Sequence, residues 1–187
     1  MRLFLRIINL LLFPTKEWSE IAAKNDARKA TFLRIVAPLL GLMAVATVFG
    51  TWLYTSREIY SLKYVMYRVV VLWTATIVGL YVSAFVATEI MTQKAGVKDH
   101  AKGFALMANA AIAAYLALMI VALFPFFKEF LVLSFYSIYL YWLGIPAMMQ
   151  IDKEKQTAFA ALALVITAVV HLFVYFLFGN IFKALLL

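Results

Sequence analysis

The 187-residue sequence reads as an all-α integral membrane protein, a five-transmembrane-helix bundle with an N-terminal amphipathic interfacial helix. Three observations carry that reading. The chain is 66% hydrophobic and only 14% charged, with a mean hydropathy of +0.96, far from the balance of a soluble globular domain. Five apolar stretches each come near the roughly 20 residues that a helical crossing needs. Their apolarity is uninterrupted, whereas a transmembrane strand alternates polar and apolar residues, so helices rather than a barrel are expected.

The first stretch, MRLFLRIINLLLF, sets Arg2, Arg6 and Asn9 at i, i+4 and i+7, one polar stripe against a wide apolar face. Such a segment reaches only about 20 Å, short of the roughly 30 Å hydrocarbon core, so it should lie in the interface, anchored by Arg2 and Arg6. A secretory signal is the rival reading, but Phe13-Pro14-Thr15-Lys16 offers no small-residue cleavage site. Pro14-Thr15 opens a second short helix to about Lys24, with Thr15 as its expected N-cap and Trp18 and Ile21 facing the interface. Asn25-Asp26 breaks it, Asp26 is placed to cap the next helix, and Arg28, Lys29 and Arg34 form a basic collar. Residues 1–30 thus form a cytoplasmic interfacial region and 31–187 a five-span membrane domain.

The spans are expected at 31–54, 68–91, 103–124, 130–149 and 157–178, joined by short connections that make consecutive helices antiparallel neighbours. Pro38 and Pro146 each remove a backbone donor near a span end, so both are expected to bend or open their helices. With five crossings, twelve lysines and arginines fall on the side of the N-terminus and five on the other. The positive-inside rule then makes the N-terminus cytoplasmic and the C-terminus external, with Asp152-Lys153-Glu154-Lys155 a solvated cytoplasmic turn. The formal charge of +8 therefore belongs to topology and lipid headgroups, and no nucleic-acid partner is expected. Cysteine is absent, which removes disulfides and thiolate metal sites.

Chemistry-bearing patterns are sparse. No nucleophile-base pair, phosphate-cradling glycine loop or HExxH occurs, so no catalytic residue, metal or cofactor is expected. Glu89 is the acidic residue inside a predicted span, which suggests function, although near Met91 it can snorkel or pair with Lys94 or Lys98. Asn109 needs amide partners in lipid, most simply across helices. His171 has no HxxxE or HxxxH partner, so a buried neutral imidazole beside a tyrosine is the plain reading and a proton relay the sharper one. Tyr139 belongs to an aromatic stripe with Phe135 and Trp142, and Tyr115 is placed to approach it from the third span. Together Glu89, Asn109, Tyr115, Tyr139 and His171 make a candidate polar intramembrane site.

FPTKEWSEIAAKND, then APLLGLMA entering the first span, then SIYLYWLGIPAMMQIDKEKQTAFAALALV, with its Gly-x-Pro exit, charged turn and fifth span, resemble the bacterial branch of the Yip family (Ypt-interacting protein, Yip domain). Relatives often carry a proline early in the third span, where this chain has Met107-Ala108-Asn109-Ala110-Ala111. The resemblance implies five spans, a cytoplasmic N-terminus and a bacterial inner-membrane location. Its eukaryotic members imply prenylated GTPase partners, which a bacterial chain does not inherit. Two functions follow as expectations. One is a non-enzymatic membrane scaffold or partner-binding protein, working through its cytoplasmic face, with a homo-oligomer supplying the symmetry an odd span count lacks. The other is a small transporter or channel around the polar residues.

Overall fold

The computed structural model describes residues 2–56, 59–95, 99–149, 151 and 153–186. Lys98 and Asp152 lie outside the described residues, as do the side chains of Arg2 and Lys94. Every regular element among them is helical: α1 (Arg2–Leu12), α2 (Pro14–Lys24), the short α3 (Arg28–Thr31), α4 (Ala37–Tyr54), α5 (Leu62–Ala95), α6 (His100–Ala110), α7 (Ile112–Leu123), α8 (Tyr136–Met149) and α9 (Lys153–Leu186). A π-helical turn, Phe32–Val36, joins α3 to α4, and a 3-10 segment, Lys128–Phe135, leads into α8. Among the described residues four helical runs are long and apolar enough to cross a bilayer, and α6 with α7, bent by 42°, makes a fifth when taken as one broken span.

Helix α6 is the post around which the others pack. Gly103 to Ala110 are all buried, which suits a stretch in which every residue but Asn109 is small or apolar. It touches α5, α8, α3 and the π turn, while α5 and α9 pack along each other on the flank. Close approach rests on missing side chains. A Cβ on Gly50 would overlap the Ala122 carbonyl oxygen, bringing α4 against the α7 backbone, and one on Gly103 would overlap Thr88 Oγ1, bringing α6 against α5.

The spans differ from expectation chiefly at their ends. Helices α5 and α9 each hold 34 residues, about 51 Å, and so project beyond the hydrocarbon. Lys153, Glu154 and Lys155 form the first turn of α9 rather than a loop, because an N-terminal turn accommodates an acidic residue such as Glu154. The third span breaks at Ala111, where ψ falls to −7°, without a proline. There the Ala114 N–H donates to Ser137 Oγ of α8 at 3.1 Å.

The two prolines behave differently. Pro38 follows the π turn closely: lacking an N–H, it cannot serve the carbonyls of the preceding turn, and the Ala37 N–H closes a wider ring on the Phe32 carbonyl. Around Pro146 the helix runs on to Met149. The carbonyl that Pro146 leaves without its helical donor is that of Trp142, and Gln156 Nε2 donates to it from α9 at 2.5 Å. Two helix-start expectations also change. Phe13, not Thr15, stands at the N-cap of α2 with Pro14 in the first turn, where its missing donor is harmless. Asp26 caps nothing among the described residues; it pairs with Arg34 at 2.9 Å, while Asn25, in the left-handed region at φ 43°, ends α2.

Candidate functional site at the N-terminal face

Helices α1 and α2 fold into a hairpin that docks on the end of the bundle. Of its polar stripe, Arg6 and Asn9 are partly buried and turn towards α2. Glu17 of α2 is 4% exposed, accepts from Asn9 Nδ2 at 3.0 Å and pairs with Arg6 Nε at 3.4 Å. Leu10 is fully buried, and the Tyr136 hydroxyl donates to the Leu11 carbonyl at 2.8 Å, satisfying a carbonyl that the end of α1 leaves free. Trp18 was expected to face the interface, yet it is 1% exposed. Gly144 opens the slot it fills: a Cβ there would lie 2.7 Å from Trp18 Cζ2. The face that pairs Trp18 and Ile21 is therefore the docking face of α2 onto α8.

Docking leaves one edge of α1 bare. Phe4, Leu5, Leu12 and Phe13 are each 50% exposed or more and follow one helical stripe around the bend into α2. Between α1, α2 and the π turn lies a cavity of about 390 Å³ lined by Leu3, Arg6, Glu20, Lys24 and Arg34. The hairpin is thus an amphipathic element with Glu17 buried between its two helices, a bare apolar edge on α1, and Lys16, Glu20 and Lys24 exposed on α2.

The polar residues expected to share an intramembrane site are dispersed. Glu89, near the end of α5, contacts His100 Nε2 at 3.1 Å, and the His100 ring stacks on Phe85 at 5.3 Å. Asn109 Nδ2 donates to the Ala105 carbonyl of its own helix at 2.7 Å, and its buried Oδ1 has no hydrogen-bond partner among the described residues. The His171 ring lies against Gly79 of α5, with Nδ1 2.8 Å from the Thr167 carbonyl of its own helix. Gly79 and Glu89 are ten residues apart on α5, about 15 Å along the axis, so His171 and Glu89 occupy different levels. Tyr139 is 44% exposed and points away from the core, whereas Tyr115 is buried and neighbours Tyr141. Tyr115, Tyr141 and Thr167 lie together inside the bundle, with Tyr141 rather than Tyr139 on the inner face of α8.

The burial of Glu17 was not legible because a glutamate near the start of a short polar helix suits the positive helix end and carries no sign of burial. The signal available was its reach across the Pro14 bend to Asn9 and Arg6. Among the described residues no group of three or more histidine or carboxylate side chains is placed to hold a metal.

A family model described as the Yip1 domain matches residues 8–176. No curated protein and no solved structure matches the chain.

Proposed function

The chain belongs to the Yip1 domain family, and on that premise we propose that it is a non-enzymatic membrane-organising scaffold working through the docked α1–α2 face. The observation that carries this reading is the bare Phe4-Leu5-Leu12-Phe13 edge on a helix already fixed to the bundle through Glu17, Trp18 and Tyr136. An amphipathic helix that inserts alone must first become ordered; a docked one presents its apolar edge without that loss, and its area enters one leaflet only. The twelve-to-five charge bias supports placing this face in the cytoplasm, of a bacterial inner membrane, where the basic collar at Arg28, Lys29 and Arg34 meets anionic lipid or an acidic partner protein. A second copy of the chain is the simplest source of symmetry for such a scaffold.

The dispersal of Glu89, Asn109 and His171 supports a scaffold over a transporter, because Asn109 and His171 each bond a carbonyl of their own helix. The test pairs two assays on the full chain in proteoliposomes: recovery of partners from mild detergent, and flux of ions and small solutes. Specific recovery that needs the bare α1 edge, with flux no greater than in empty vesicles, is the expected result. Solute flux that falls on Asn109→Leu or His171→Phe substitution overturns it.

A further inference from the structure

At the end of the bundle away from α1 and α2 lies a cavity of about 570 Å³ lined by Thr47, Tyr64, Tyr67, Arg68, Leu118 and Tyr175, side chains from α4, α5, α7 and α9. Arg68 stands six residues inside the start of α5, about 9 Å along the axis. Since α5 exceeds the roughly 30 Å hydrocarbon by about 20 Å, that depth is the headgroup level of the leaflet. The guanidinium carries five N–H donors. One nitrogen, Nη1, donates to the buried Thr51 Oγ1 at 3.2 Å, and no carboxylate lines the cavity among the described residues. An Arg half-buried against a neutral hydroxyl leaves a fork open to a planar or tetrahedral anion. Three phenols add neutral donors around it, and Leu72, Leu118 and Val121 supply apolar wall.

We propose that this cavity binds an anionic phospholipid, its phosphodiester held by Arg68 and the phenols of Tyr64 and Tyr67, with an acyl chain against Leu118 and Val121. A zwitterionic lipid fits poorly, because its cationic group would enter a cavity whose one fixed charge is already positive. The chemistry selects phosphate; the apolar wall selects phosphate that carries a chain.

Native mass spectrometry of the full chain in mild detergent, offered equal phosphatidylglycerol and phosphatidylcholine of matched chain length, tests it. Wild type should retain phosphatidylglycerol about tenfold over phosphatidylcholine, the discrimination expected of a charge-assisted hydrogen-bonded pair. Arg68→Gln should bring the ratio to within about twofold. Val121→Trp keeps the charge but fills the cavity, and should lose retention as well, so the proposal stays testable if Arg68→Gln does not fold. Millimolar glycerol 3-phosphate should leave the lipid in place; displacement by it would show a site for free phosphate and overturn the lipid assignment. Equal retention of both lipids by wild type, or phosphatidylglycerol retention by Val121→Trp equal to wild type, overturns the proposal outright.

Discussion

Glu17 shows how one buried carboxylate fixes a helix that the bilayer alone would hold loosely. With 4% of it exposed and Arg6 at 14%, the pair sits where removing one partner strands the other. Glu17→Leu should therefore lower stability by about 3 kcal/mol, read as thermal unfolding in mild detergent together with faster proteolysis after Arg6. Replacing both, Arg6→Met with Glu17→Leu, should recover most of that loss, since two apolar side chains leave no stranded charge. Asn109 makes the opposite case. Its amide bonds only its own helix and its carbonyl oxygen has no hydrogen-bond partner among the described residues, so Asn109→Leu should change stability by no more than about 1 kcal/mol. A larger loss in the same unfolding assay would show that Asn109 holds something the helix contacts do not explain.

Among the elements, what could be read from sequence was the number and central positions of the apolar runs, because a bilayer enforces hydropathy over about 20 residues, while their helical ends were not. How those runs bend was less legible. Pro38 signalled an irregularity in its own helix, where the π turn Phe32–Val36 stands just before it, since a missing donor acts locally. At Pro146 the helix runs on, and the freed Trp142 carbonyl is served by Gln156 from the next helix. The break at Ala111 had no local signal: Ser137, 23 residues away, draws off the Ala114 N–H. These long-distance bonds are testable. Gln156→Leu should destabilise the α8–α9 hairpin by about 1–3 kcal/mol by leaving a carbonyl unserved in an apolar setting. Ser137→Ala should cost a similar amount at the α6–α7 break and Ser137→Thr much less, each measured by thermal unfolding. Gly103→Ala should be harmful through overlap with Thr88, by about 1–3 kcal/mol, and Gly103→Ala with Thr88→Ala should restore part of it.

Across the whole molecule the two ends differ in kind. One carries the docked α1–α2 hairpin, the Glu89–His100 contact and most of the basic residues; the other carries few charges and the Arg68 cavity. The candidate site was only partly legible because the polar residues inside the spans attract attention, while the proposed surface lies on a short amphipathic helix whose Arg6 and Asn9 turn towards Glu17. Arg6 and Asn9 were visible as a stripe, but their partner Glu17 lies across a proline bend, and pairing across a bend is not written in helical periodicity. The proposed role in organising membrane rests on the bare apolar edge that the docked hairpin presents. Changing Phe4, Leu5, Leu12 and Phe13 together to serine removes that edge while sparing Leu10, Glu17 and Trp18, which hold the hairpin. The decisive measurement is the diameter distribution of vesicles, imaged by electron cryomicroscopy, after reconstitution at equal protein density with wild type or this variant. Wild type should shift the population towards smaller, more curved vesicles or tubules and the variant should leave it like protein-free lipid, with both proteins unfolding at the same temperature; equal curvature from the two would contradict the role assigned to α1.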